Sequence, residues 1–166
     1  CGHYGENNPA HPCTCTPAQI HRYMSRISGP LLDRIDIQCD IQPVPYSLLK
    51  EEQPSESSAA IRERVLRARA IQHNRFAEYN KTAKNPIHCN AQMTPKLVRE
   101  YCLIDAQGDK LLAKKKEKLG LSARAYDRIL KVARTIADLA GATDISAPHL
   151  MEAISYRNID REDWIQ

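Results

Sequence analysis

Apolar positions recur at helical spacing through most of the chain. The clearest case follows Ser122, where Ala125, Ile129, Val132, Ala133, Ile136 and Ala140 line one face up to Gly141. Ser122 supplies an N-cap oxygen, and the glycine supplies a stop. From Ser57, the positions Ile61, Val65, Ala68, Gln72 and Phe76 recur the same way, with Leu66 beside them. Thr94-Pro95 opens another helix through Leu97, Val98 and Tyr101 to about Ile104. Asp105 caps the next, which holds Leu111, Leu112 and Leu119 and stops at Gly120. Ser146 and Pro148 open a last one with Leu150, Ala153 and Ile154, followed by a charged tail from Asn158 to Gln166 with Trp164.

The first third of the chain follows a different pattern. Residues Cys1 to Thr16 are almost without apolar side chains and read as a loop. Thr16-Pro17 starts a helix that runs to about Ile27. Gly29-Pro30 breaks it into a turn or short helix, and Ile35-Asp36-Ile37 then alternates as a half-buried strand over about Arg34 to Ile41. Pro43 and Pro45 end the strand, and the polar stretch Lys50 to Ser58 reads as a linker. The fold expected is mainly α. Residues 1–53 form the remnant of an α/β core, with one strand, one helix and a Cys-rich loop, and residues 54–166 form an all-α bundle. A single strand makes no sheet, so the first part wants partner strands upstream of Cys1.

Composition narrows this picture slightly. The chain has 166 residues, 42% of them hydrophobic, but only 5% aromatic, so the core must be aliphatic. The net charge of +4 permits a nucleic-acid partner without demanding one. No apolar run approaches membrane length, and no signal peptide is visible. The six cysteines are unevenly placed, which suits a reducing cytoplasm better than a disulfide framework.

Chemistry has few places to sit. Cys1, Cys13 and Cys15, with His3 and His11 nearby, are zinc-type ligands, although the Cys-x-Cys spacing is tight. The alternative is a loop with free thiols. Arg22 and Arg26 form either a solvated face or a rim for phosphate. No Gly-x-x-x-x-Gly-Lys-Ser/Thr is present, and no apolar run ends in paired acids. Two arginines suit a phosphate: Arg34, behind Leu-Leu-Asp at the strand edge, and Arg124, in the first turn of the Ser122 helix. Each also has a plain structural alternative. Arg34 could pair with Asp33 or Asp36, and Arg124 with Asp127.

The runs CTCTPAQIHRYMSRISGPLLDRIDI, SSAAIRERVLRARAIQHNRF, NAQMTPKLVREYC and LGLSARAYDRILKVARTIADLAG resemble the C-terminal half of magnesium-chelatase-like AAA+ ATPases of the ComM/YifB type. The resemblance spans nearly the whole chain. It implies a full-length ATPase with a phosphate loop and a Mg²⁺-binding strand upstream, assembled as a hexameric ring with ATP between subunits. Within the chain it implies Arg34 as the arginine finger acting on a neighbour's ATP. It also implies Arg124 as the sensor-2 arginine of a helical lid, ahead of Arg128 and Arg134. The family loop resembles Cys-Pro-Cys-Gly followed by Cys-x-Cys, so Cys1, Cys13 and Cys15 would be an incomplete zinc-type set. ATP and Mg²⁺ are the expected cofactors of the full-length protein, and none is expected on the chain alone, which should lack ATPase activity. The expected partners are further subunits and single-stranded or branched DNA, in branch migration or transformation. The alternatives are a chelatase-like ATPase that remodels a protein partner, and a non-enzymatic helical interaction module.

Overall fold

The computed structural model describes residues 1–4, 11–39, 41, 44, 55–119 and 122–157, and among them seven α-helices and no strand ladder form. The fold is mainly helical. None of these helices is long and apolar enough to cross a membrane. The expected stop at Gly120, the prolines at 43 and 45, the boundary at 53/54 and the tail with Trp164 lie outside the described residues.

Helix α1 (Pro17–Met24) starts in a capping box. Thr16 Oγ1 accepts from the Gln19 amide at 3.3 Å, and Gln19 Oε1 accepts from the Thr16 amide at 2.9 Å. It ends three residues before the expected Ile27. Helix α2 (Gly29–Leu32) is the single turn opened by Gly29-Pro30.

The strand expected over 34–41 does not form among the described residues. The amides of Asp33, Arg34 and Ile35 donate backward to Gly29, Leu31 and Leu32, continuing a helical turn. Beyond them, the Gln38 amide donates to the Tyr156 carbonyl at 2.8 Å. Alternating apolar residues make a strand only beside another strand. Without one, Ile35 and Ile37 stay exposed.

Helix α3 (Ser58–Thr82) is long, and its first ten residues, Ser58 to Arg67, stand exposed. Ile61 and Val65, which recur at helical spacing with Ala68, Gln72 and Phe76, are on that exposed stretch. Ala68, Gln72 and Phe76 are buried. Asn80 then closes the following loop, accepting from the Ile87 amide at 2.9 Å and donating to its carbonyl at 2.8 Å. A 3-10 turn (Asn90–Gln92) leads to α4 (Pro95–Tyr101), α5 (Ala106–Leu119), α6 (Ala123–Leu139) and α7 (Ala147–Ser155). Helix α4 stops short of Ile104, which instead pairs in a parallel bridge with Ile145.

Helix α6 is the centre of the bundle, packed by α3, α4, α7 and the 3-10 turn. Phe76, Met93, Leu97, Val98, Leu112, Ile129, Leu130, Ala133, Ala137, Leu150 and Ile154 form one core. Phe76 meets Tyr101 edge-on, with ring centroids 5.8 Å apart. Gly141, at φ +69°, ends α6 while its amide and that of Ala142 satisfy the carbonyls of Asp138 and Ala137.

A buried carboxylate joins these elements. Asp138, on α6, is 1% exposed. Arg75 of α3 grips both of its oxygens. Asn90 of the 3-10 turn donates to it at 2.7 Å, and Arg134 Nε at 3.0 Å. Arg134 also donates to the Thr143 and Ala142 carbonyls at 2.7 and 2.6 Å, pinning the α6–α7 turn. No buried side-chain polar atom among the described residues lacks a partner. Burial pushes the Asp138 carboxyl up, but the bonds from Arg75 and Asn90 and the charges of Arg75 and Arg134 outweigh it, so it sits below its ordinary value.

Replacing Asp138 with Ala strands the buried Arg134 guanidinium and the mostly buried one of Arg75 and should cost about 3–5 kcal/mol in urea unfolding. The carboxyl is depressed in the folded chain, so its contribution is complete above the ordinary value of about 3.9 and lost as pH falls through the folded pKa. Stability measured against pH should therefore fall less steeply on the acid side in Asp138→Asn than in the wild type.

Candidate functional site

The stretch carrying Arg34 is fastened to the far end of the chain by polar contacts. Ser122 has two roles. Its Oγ accepts from the Ala125 amide at 3.2 Å as the α6 N-cap, and its hydroxyl donates to Asp33 Oδ2 at 3.4 Å. Arg128 of α6 forms an ion pair with Asp36. Arg157, just past α7, donates to the Ile35 carbonyl at 2.9 Å and to the Asp33 carbonyl at 3.3 Å. The backbone bond from Gln38 to Tyr156 completes the set. The Arg128 and Asp36 side chains are 28% and 48% exposed, so their pair contributes at most about 1 kcal/mol. The docking is a sum of weak contacts and not a buried interface.

These contacts sort the arginines. Arg134 spends its donors inside the bundle, and Arg128 is paired with Asp36. Arg34 and Arg124 are both exposed, and neither side chain makes a hydrogen bond or ion pair among the described residues. The pairings open to them from sequence, with Asp33, Asp36 or Asp127, do not occur. The Asp33–Ser122 contact brings the two turns that bear them together: Arg34 follows Asp33, and Arg124 lies two residues after Ser122. Arg22 and Arg26 are also exposed, and Arg26 lies over the Tyr23 ring.

Arg124 sits where a cation is disfavoured. The first turn of α6 carries no acidic residue, and the exposed amide end of a helix has partial positive charge. Asp33 offsets part of it through Ser122. The arrangement is one that suits phosphate oxygens.

The thiols fall into two classes. The Sγ atoms of Cys1, Cys13 and Cys15 lie within 4.8 Å of one another. The Cys102 thiol is buried among apolar groups, which pushes its pKa up to about 11 and leaves it an inert packing residue. His3 and His11 stack at 5.5 Å, outside the thiol group.

Sequence reasoning missed Arg157 and the second role of Ser122. Their partners lie 89 to 124 residues away, and no local spacing reports such a contact.

Residues 55–157 match the family model described as magnesium chelatase, subunit ChlI C-terminal. The chain belongs to the magnesium chelatase ChlI C-terminal family. Residues 1–49 match the companion model, magnesium chelatase, subunit ChlI. Among similar proteins of this family are the uncharacterized protein YifB of Escherichia coli, 42% identical over 161 residues, and the competence protein ComM of Haemophilus influenzae, 41% identical over 162 residues. The Mycobacterium bovis protein Mb2921c is 30% identical over 151 residues. The matches cover 96%, 96% and 90% of the chain but 29% of each relative's length.

Arg157→Ala should remove two of the bonds that hold residues 33–38. Amide hydrogen exchange should quicken at Gln38 and leave the α6 amides near Ile129 and Ala133 unchanged. Equal protection at Gln38 in both proteins would show that the docking does not depend on Arg157.

Proposed function

We propose that this chain is the arginine-bearing and lid part of a magnesium-chelatase-related AAA+ ATPase that works as a ring on DNA. Residues 1–53 are the end of the ATPase core and residues 54–166 the lid. The observation that carries the reading is that the Arg34 and Arg124 side chains are exposed and make no hydrogen bond or ion pair among the described residues, on two turns joined by the Asp33–Ser122 contact.

The sequence contains no phosphate-cradling loop; the family resemblance places that loop upstream in the longer protein and the ATP between subunits of a hexameric ring. The donor set fits nucleotide phosphates: two permanently charged guanidiniums beside a helix N-terminus. Bound ATP with Mg²⁺ supplies the phosphoryl group to be transferred. Arg34 approaches it across the subunit contact and neutralises charge that grows on the γ-phosphate oxygens. Such arginines contribute about 10³–10⁵ in rate. Arg124 binds the same phosphates from the lid and so couples lid position to nucleotide. Arg128 and Arg134 are already engaged, which favours Arg124 for that role.

The DNA part of the proposal rests on the family resemblance and on the similarity to a protein named for competence. The net charge of +4 is compatible with it. The alternative is that the ATPase remodels a protein partner, as the chelatase name suggests.

Arg34→Ala in the longer protein should leave ATP binding intact and lower turnover by about 10³ or more. Normal turnover would overturn the finger assignment. Turnover that rises with single-stranded or branched DNA supports the DNA reading, and no response to either favours the protein-remodelling one.

A further inference from the structure

Helix α5 carries most of the excess charge of the chain. Its five lysines, Lys110, Lys114, Lys115, Lys116 and Lys118, stand against two acids, Asp109 and Glu117, which leaves +3 on 14 residues of a chain whose net charge is +4. The seat of α5 on the bundle sends this charge outward. Asp105 Oδ1 accepts from the Gly108 amide at 2.7 Å at the start of the helix. Gly108 is buried against α7, where a Cβ would stand 3.4 Å from Leu150 Cδ2. Leu112, one turn on, is buried in the core. Positions two residues beyond each of these lie about 200° round the helix. Lys110 and Lys114 occupy them and are exposed, and Lys115 is half-buried.

Elsewhere on the surface, several cations are answered by acids. Arg64 pairs with Glu56, Arg67 with Glu63, Lys81 with Glu78 and Arg128 with Asp36. The Lys110, Lys114 and Lys115 side chains make no hydrogen bond or ion pair among the described residues. Like charges one turn apart, such as Lys110 and Lys114, repel. The C-terminal end of a helix favours cations and offsets part of that repulsion. A polyanion along the helix would offset the rest. We propose that the outer face of α5 lies on the phosphate backbone of duplex DNA, with Lys110, Lys114 and Lys115 as its contacts. The inference rests on the DNA reading above and names the surface that would serve it. A lysine ammonium is a mobile point charge, suited to phosphate oxygens and indifferent to base sequence. Helix α5 has no aromatic residue on which an unpaired base could stack, which favours a duplex over a single strand. Leu112 is in the bundle core and Leu111 packs against it, so neither is left to enter a membrane surface.

The place of α5 in the chain gives the contact a consequence. The helix ends at Leu119, and Ser122 follows shortly after. Ser122 caps α6 and donates to Asp33, on the two turns that bear Arg124 and Arg34. Duplex DNA held on α5 therefore lies a short stretch of chain away from the proposed phosphate-binding arginines.

The test is fluorescence anisotropy of a labelled mixed-sequence duplex with the whole 166-residue chain, across a range of salt. The wild type should bind with an affinity that falls as salt rises. The Lys110→Gln/Lys114→Gln/Lys115→Gln variant should bind more weakly, and its log–log salt slope should be shallower by about 0.9 per lysine, or about 2.7 in all. The Arg64→Gln/Arg67→Gln/Lys81→Gln variant removes the same charge from α3 and should keep the wild-type slope. Circular dichroism should match the wild type in both variants. Equal losses in the two variants would show a response to net charge alone and overturn the α5 assignment. Poly-glutamate bound as tightly as the duplex would give the face to an acidic protein partner instead, and also overturn it. So would an unchanged slope in the α5 variant, or no binding by the wild type. In those cases the turnover of the longer protein separates the two readings: a rise with DNA leaves the DNA reading standing without α5, and no response removes both.

Discussion

Four donors converge on the Asp138 carboxylate, two from Arg75 and one each from Asn90 and Arg134. Among the described residues it is the only buried carboxylate. Taking such a charge out of water costs several kcal/mol, and only complete pairing offsets it. That requirement constrains geometry in a way aliphatic packing does not. Helix α3 must bring Arg75 to α6, the 3-10 turn must present Asn90, and Arg134 must lie one turn before Asp138 on the same helix. Because Arg134 also holds the Ala142 and Thr143 carbonyls, the entry to α7 is fixed by the same network.

The surface contacts rest on that frame. Helix α6 and the residues after α7 offer Ser122, Arg128, Tyr156 and Arg157 to the segment that carries Arg34. These contacts are polar and lie at or near the surface. Contributions of about 1 kcal/mol are readily exchanged for others, which is compatible with the proposed role of this segment in a nucleotide cycle.

Much of the bundle was legible in the sequence. Thr16, Thr94 and Ser122 and the stop at Gly141 marked helix ends, because a cap is a local bond between residues three apart. The strand over 34–41 was misread because alternation reports a face and not a partner. The helical spacing of Ile61 and Val65 did mark α3, but spacing does not say how far along α3 the bundle reaches, and both are exposed. Arg134 and Asp138 look like ordinary polar positions on α6, yet both are buried. Only the long-range meeting with Arg75 makes their burial tolerable. For the candidate site, residue type and resemblance pointed to Arg34 and Arg124, but their approach through Asp33 and Ser122 spans 89 residues and has no local signature.

The central claim is that Arg34 and Arg124 act on one phosphate group. ATP turnover of Arg34→Ala, Arg124→Ala and the double variant, in the longer protein, tests it most directly. Groups that work as a unit are strongly non-additive, so the double variant should be no slower than the worse single variant by more than about twofold. Losses that multiply would show two independent sites and contradict the account.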